Sequence, residues 1–237
     1  MEKSKQVARA FFESPLGAPG LAFETGDLAS TTLPARPFFE SPPEQVAPRL
    51  LGKILAHQTS AGLISGRIVE VEAYLGPHNN PPDPAAHSHR GITPRNAVIF
   101  GPPGHAYVYA IYGRYFCMNV TCEPEGVAGC ILIRGLEPLR GADLMTANRG
   151  LQPGAQHKQL TSGPSRLCQA LGLTRLTHNA LDLCDPGSPL QVRDDGHPAP
   201  DVLVTPRIGI HVAIDFPLRF AIRGNPCVSG PRKLRDG

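Results

Sequence analysis

Tryptophan is missing from this 237-residue chain, and only five tyrosines are present. Long apolar runs are missing too. None approaches the roughly 18 consecutive apolar residues that span a bilayer. The N-terminal MEKSKQVARAFFESP lacks the apolar centre of a secretory signal. These gaps predict a soluble intracellular protein with no membrane partner. No Cys-x-x-Cys pair occurs among Cys117, Cys122, Cys130, Cys168, Cys184 and Cys227, which argues against a zinc site. Nor does the sequence suggest a secreted disulfide scaffold, so buried free thiols are expected. Charge is scarce as well. At 18% charged residues and a net +3, the chain is not driven towards nucleic acid by bulk charge, and such a partner would have to be met by local basic patches.

What remains is enough for one large domain or two small ones, with a substantial core. Residues 1–33 are rich in Gly, Pro, Ser and Thr, bury little, and are expected to be disordered. The string FFESP at 11–15 returns at 38–42. The second copy leads into helix grammar, with Ser41 as a candidate N-cap, Pro42 in the first turn and Glu44 three residues after the cap. KILAHQ and LISGRIVEVEAY read as strands paired across SAG at 60–62, followed by a loop LGPHNNPPDP. GHAYVYAIYG, FCMNVTC and CILIRGLEP read as further strands, and VLVTPRIGI and LRFAIRG as two late ones, with prolines at 200, 206 and 217 favouring edges. PLRGADLMTAN and PSRLCQALGL read as helices, the second with Ser162 or Ser165 near its start, and GLQPGAQHKQLTSG between them as loop. Strands and helices do not alternate, so the fold class expected is α+β.

Two regions could carry chemistry. As a strand, RIVEVEAY puts Glu70, Glu72 and Tyr74 on one face and Val69, Val71 and Ala73 on the other. That pattern suits a solvated edge strand, or it presents a carboxylate as a general base towards water. The other region is YVYAIYGRYFCMN, where Tyr107, Tyr109, Tyr112 and Tyr115 fall within nine residues. Such a cluster can be aromatic core. Beside Arg114 and the TPRN string containing Arg95, it can also stack on nucleobases, at about 1–3 kcal/mol per base. A bulky side chain on a turn can enter a base stack as a wedge. His87 and His89 in AAHSHRG lack a third convergent ligand, so a hydrogen-bonding role for His87 fits better than a metal site. From the residues alone, three functions stay open: an enzyme that extrudes a base, a non-catalytic nucleic-acid binding module, and a free-nucleoside hydrolase.

Seven strings then run in order between about residues 38 and 230: GRIVEVEAYLGP, AAHS, TPRN, YVYAIYGRYFCMN, LIRGLEPL, SGPSRLCQAL and LRFAIRGNPCVS. Together they resemble the alkyladenine DNA glycosylase family, also called 3-methyladenine DNA glycosylases. The resemblance implies a single mixed domain over 34–237, with a curved, mostly antiparallel sheet and peripheral helices. It implies a monofunctional glycosylase acting as a monomer on double-stranded DNA with damaged purines, without a cofactor. Its compartment would be the cytoplasm or nucleoid of a bacterium, or a nucleus. By the same resemblance, Glu72 would activate water and Arg134 would hold that water and Glu72. Tyr74 and Tyr109 would stack on the extruded base, and His87 would complete the pocket. Tyr112 would fill the gap in the duplex, while Asn119 would crowd the exocyclic amino group of guanine. Arg95 and Arg114 would be backbone contacts, and Tyr107 and Tyr115 would support the other phenols from the core. Cationic bases such as 3-methyladenine and 7-methylguanine are the implied substrates, with weaker action on hypoxanthine or ethenoadenine. Three features depart from the family pattern: NNPPDP lengthens the loop, HSHRG follows AAHS, and Arg114 stands where an apolar residue is common.

Overall fold

The computed structural model describes residues 28–231. Eight strands form one sheet: β1 (Ile54–Thr59), β2 (Gly62–Tyr74), β3 (Ala106–Ile111), β4 (Tyr115–Thr121), β5 (Cys130–Arg140), β6 (Leu190–Arg193), β7 (Val202–Thr205) and β8 (Arg219–Ile222). Their order is β3-β4-β5-β2-β1-β6, with β8 on β2 and β7 on β8, and the pairings are antiparallel. β2 organises the curl. Its first half pairs with β1 and its second half, Glu70–Glu72, pairs with β8, while β5 runs along its other side. One edge of a 13-residue strand thus serves two neighbours, which requires the sheet to bend. Among the described residues five α-helices, α1 (Pro43–Leu50), α2 (Ala142–Asn148), α3 (His157–Thr161), α4 (Pro164–Leu171) and α5 (Arg175–His178), complete an α+β domain. The apolar face of α4, with Leu167, Ala170 and Leu171 fully buried, packs on β4 and β5, and α1 packs on β2.

The bend has a local cause. In the β2–β5 ladder Ile68 faces Leu136 and Glu70 faces Gly135, so Val69 is an extra residue on β2. The next step pairs Val71 with Ile133, so Arg134 is an extra residue on β5. Two opposed bulges, one on each strand, increase twist and re-aim side chains. They also correct the expected alternation. Ile68, Val71 and Ala73 enter the main core, whereas Val69 joins a separate cluster with Ala221, Cys227 and Val228. β2 is no edge strand, and neither Glu70 nor Glu72 has exposed surface.

Other boundaries moved for identifiable reasons. Helix α1 starts at Pro43 with Pro42, not Ser41, at the N-cap and no side-chain cap. Gly163, at φ 116°, takes the cap position of α4, so neither Ser162 nor Ser165 fills it. The region between α2 and α4, expected as loop, contains α3, whose capping box is formed by Gln156 and Gln159. Pro138 to Arg140 extend β5 rather than starting α2. The late VLVTPRIGI segment is strand only to Thr205, where Pro206 ends it, and β7 is an edge strand paired only with β8.

Most of the segment expected to be disordered lies outside the described residues, as does the first FFESP. Its last part is anchored: Leu28 is buried, Thr32 bridges Asp194, and Arg193 Nε donates to Thr31 Oγ1 at 2.5 Å. The second FFESP supplies Phe39, fully buried in the main core. All six cysteines are unpaired thiols, five buried and Cys184 half-buried.

Candidate active site

A cavity of about 400 Å³ opens where β2, β3, β4 and β5 meet the loop after β7. Its lining includes Tyr74, His87, Arg95, Tyr109, Tyr112, Asn119, Arg134 and Ile208. Seven residues singled out from the sequence therefore converge on one hollow: Tyr74, His87, Arg95, Tyr109, Tyr112, Asn119 and Arg134. Glu72 is not part of the lining, but its three partners are. Ile208 N–H donates to Oε1 at 2.7 Å, Tyr74 OH donates to Oε2 at 3.0 Å, and Arg134 Nη1 lies 3.2 Å from Oε2. Both carboxylate oxygens are thus held by groups that themselves wall the cavity.

Arg134 is shared. Its Nε donates to Glu70 Oε1 at 3.1 Å, and its Nη2 donates to Ser229 Oγ at 3.2 Å. Burial works against its charge, but Glu72 and Glu70 beside it raise the guanidinium above its ordinary value. Glu70 also takes Arg219 Nε at 2.7 Å, Ser229 N–H at 2.6 Å and Ser229 Oγ at 2.9 Å. Burial would raise the Glu70 carboxyl, yet Arg134 and Arg219, with the Ser229 N–H, hold it below its ordinary value.

The aromatic wall is built by period-2 alternation on β3. Tyr107 and Tyr109 stack with centroids 5.4 Å apart at 28°. Tyr107 is buried, and its hydroxyl meets Nδ1 of His87 at 2.9 Å. The His87 ring, exposed on the cavity wall, stands edge-on to Tyr109 at 4.5 Å. The Tyr107 and Tyr109 rings shield its inner side from water, and this desolvation, then Arg95, lowers the His87 pKa, which favours a neutral imidazole. Burial is the main cause that raises the phenols of Tyr74, Tyr107 and Tyr109, so all three keep their protons. Asn119 Nδ2 donates to the Tyr107 carbonyl at 3.2 Å, which fixes the amide against the cavity. Cys117 and Cys130 also line the hollow; burial raises both, Cys130 to about 12, so neither is a ready nucleophile.

Tyr112 differs from the other phenols. It sits on the β3–β4 turn with φ 50° and is 89% exposed. A left-handed backbone under a tyrosine costs about 1–3 kcal/mol. Besides the main cavity it borders a second hollow with Tyr115, Arg149, Ser165, Arg166 and Gln169. Tyr115 is thus not a core support: it is half-buried, with the Arg114 guanidinium 4.8 Å over its ring. Arg95 lies 5.8 Å from the Tyr109 centroid. None of the ion pairs among the described residues involves Arg95, Arg114, Arg149 or Arg166, whereas Arg36, Arg67, Arg134, Arg207, Arg219 and Arg223 all have carboxylate partners. Arg95 borders the main cavity with Tyr112, Arg149 and Arg166 border the second hollow with it, and Arg114 lies two residues along the chain. Among the described residues, no group of three His, Cys, Asp or Glu side chains is placed to hold a metal.

The sequence reading missed the residues that hold this arrangement from behind. Arg219 and Ser229 fix Glu70, while Arg207, fully buried, pairs with Asp83 and lies 4.6 Å over the Tyr74 ring. Arg219 and Ser229 fall within the string LRFAIRGNPCVS, while Arg207 and Ile208, whose N–H meets Glu72, fall within VLVTPRIGI, which reads as strand.

Residues 37–226 match the family described as Methylpurine-DNA glycosylase (MPG). A protein of Koribacter versatilis is 51% identical over 199 residues, covering 84% of this chain and 94% of its own length. One from Burkholderia lata is 47% identical, covering 83% and 90%, and one from Methanoculleus marisnigri is 48% identical, covering 84% and 98%. Each bears the provisional name 3-methyladenine DNA glycosylase.

Proposed function

The chain belongs to the methylpurine-DNA glycosylase family, and we propose that it is a monofunctional glycosylase that removes alkylated purines from duplex DNA as a monomer. The reaction class is hydrolysis of an N-glycosyl bond, with 3-methyladenine as the reference substrate, the base named in its relatives. The observation that carries the reading is the position of Glu72, buried with both oxygens held by residues that line a phenol-walled cavity.

In this mechanism the damaged nucleotide leaves the stack and its base enters between Tyr74, His87 and Tyr109. Tyr112, exposed beside the cavity, occupies the vacated space. Glu72 accepts a proton from water as the water oxygen bonds to the anomeric carbon, and the bond to the purine nitrogen breaks with its electrons going to the base. A cationic base such as 3-methyladenine or 7-methylguanine leaves as a neutral molecule and needs no proton. Electron-rich phenol faces favour that cation. Hypoxanthine and ethenoadenine lack the charge and should leave more slowly. Asn119, held by the Tyr107 carbonyl, would crowd the amino group of normal guanine. Among the described residues no lysine lines the cavity, which supports hydrolysis without strand cleavage. Arg95 and Arg114, unpaired beside Tyr112, would meet phosphates.

The test is a duplex holding one alkylated adenine or hypoxanthine, assayed for alkali-labile sites. Wild type should produce them, and Tyr112→Ala should impair duplex processing far more than single-strand binding. Base release absent on every alkylated purine would end the proposal. Equal losses on duplex and single strand would remove the wedge. The two other readings, a binding module and a nucleoside hydrolase, predict no release from duplex DNA.

A further inference from the structure

Asp83 and Arg207 form a two-bond ion pair, Nη1 to Oδ2 at 2.6 Å and Nη2 to Oδ1 at 2.8 Å, with neither side chain exposed. Neither residue lines the cavity. Every remaining contact of the pair, however, runs to a segment that does. Asp83 accepts the N–H of Leu75 at 3.1 Å and of Ala85 at 3.0 Å, the first just after Tyr74 and the second two residues before His87. Arg207 donates to the carbonyl of Ala73 at 3.1 Å, between Glu72 and Tyr74, and its guanidinium lies 4.6 Å over the Tyr74 ring. The residue after Arg207 is Ile208, whose N–H holds Glu72 Oε1, while the Tyr74 hydroxyl holds Oε2.

Each oxygen of Glu72 is therefore gripped by a group that Arg207 fixes, one through the backbone and the other through the ring. We propose that the Asp83–Arg207 pair is a positioning device that sets the direction of the Glu72 carboxylate and the plane of the Tyr74 ring together. This rests on the reading of Glu72 and Tyr74 given under Proposed function. Arginine suits the task, because its planar fork binds a carboxylate through two parallel bonds while its face covers an aromatic ring, and lysine can do neither. The pair also makes base and sugar interdependent: the wall that stacks on the purine cannot shift without moving the carboxylate aimed at the anomeric carbon.

The test uses Arg207→Lys, which keeps the charge, and Asp83→Asn, which keeps the shape, each assayed below its own melting midpoint. In both, single-turnover base release should fall by about 10²-fold, the size of loss expected from a small misplacement of reacting groups, while affinity for undamaged duplex stays as in wild type. In a Glu72→Gln background, Arg207→Lys should cause a smaller fold-loss than in wild type, because the part of its effect that runs through the carboxylate is already gone and only the part through the Tyr74 ring remains. Losses that multiply in that background would overturn the inference, as would wild-type release rates in both single variants. Failure of the parent reading looks different, since wild type itself would then release no base.

Discussion

Glu70 and Glu72 occupy the same face of one strand, two residues apart, and both are sealed from solvent. Both also touch Arg134. Their surroundings are otherwise opposite. Glu70 is closed in by Arg134, Arg219 and Ser229, and its strand neighbour is Gly135. Of those groups only Arg134 reaches the cavity. Glu72 also has three partner residues, and all of them are cavity wall. Two carboxylates with the same burial thus differ in what lies one step further out: a salt-bridge network for one, a pocket for the other. The bulges at Val69 and Arg134 make this possible, since they bring a single arginine against both acids.

The sharpest way to break the comparison is to neutralise each acid in turn. Glu72→Gln should keep duplex binding and slow base release by about 10²–10⁴-fold, the usual worth of a positioned general base, measured as single-turnover alkali-labile product. Normal release from this variant would remove Glu72 from the mechanism. Glu70→Gln should act chiefly on the fold. It leaves Arg219 without its carboxylate and Arg134 with only one, and breaking a buried pair costs about 3–5 kcal/mol, visible as a lowered denaturation midpoint. Should Glu70→Gln prove as stable as wild type and as inactive as Glu72→Gln, the two roles have been assigned the wrong way round.

Gly135 offers a gentler probe of the same contrast. A Cβ there would lie 3.0 Å from the Cys227 carbonyl and 3.3 Å from both Cβ and Oε2 of Glu70. Gly135→Ala should therefore cost about 1–3 kcal/mol by overpacking, read by denaturation, and leave the single-turnover rate of the folded fraction nearly unchanged. A large rate loss with little loss of stability would mean that the Glu70 network and the Glu72 corner are coupled rather than separate.

The division between the two acids was only half legible in the sequence. Alternation along RIVEVEAY placed both on one face, and the tyrosine-rich strand placed stacking rings nearby, because period-2 patterning is local information. The turn that exposes Tyr112 was legible too, since a tyrosine before glycine at a strand junction reads as a turn. What separates Glu70 from Glu72 is supplied by residues about 130 to 160 positions away, Ile208, Arg219 and Ser229, and no local pattern announces such pairings. The bulges were hidden for a related reason. An extra residue on each strand leaves the apolar composition intact while breaking the alternation, so Val69 reads as packing with Val71 and Ala73 until its register is seen. Pro206 did carry a signal. It ends β7 one residue before Arg207 and frees the next stretch to fold over Glu72, although the segment as a whole looks like strand.

Acid titration should give the smallest effect and the cleanest separation. The depressed Glu70 carboxyl contributes stability that is present above its ordinary value of 4.5 and is lost as pH falls through its lower folded value. A second titration overlaps it. His57 on β1 and His178 on α5 bury their Nε2 atoms 3.1 Å apart. The Thr174 N–H donates to His178 Nδ1 at 3.1 Å, so in the neutral pair His178 donates to His57, and His57 Nδ1 donates to the Leu171 carbonyl at 2.7 Å. That chain has no place for another proton. Burial, followed by the charge of His57, pushes His178 down to about 4 from an ordinary 6.5. A lowered histidine is fully stabilising above the unfolded value and loses its contribution as pH falls from 6.5 towards 4. Wild type, Glu70→Gln and Glu72→Gln all keep this pair, so the stability difference between any two of them cancels it. The gap between wild type and Glu70→Gln should hold steady down to the ordinary carboxylate range and then narrow, because acid removes from wild type the charge that the substitution already lacks. A gap that stays constant to the lowest pH at which the protein folds would mean that the Glu70 charge contributes nothing to stability.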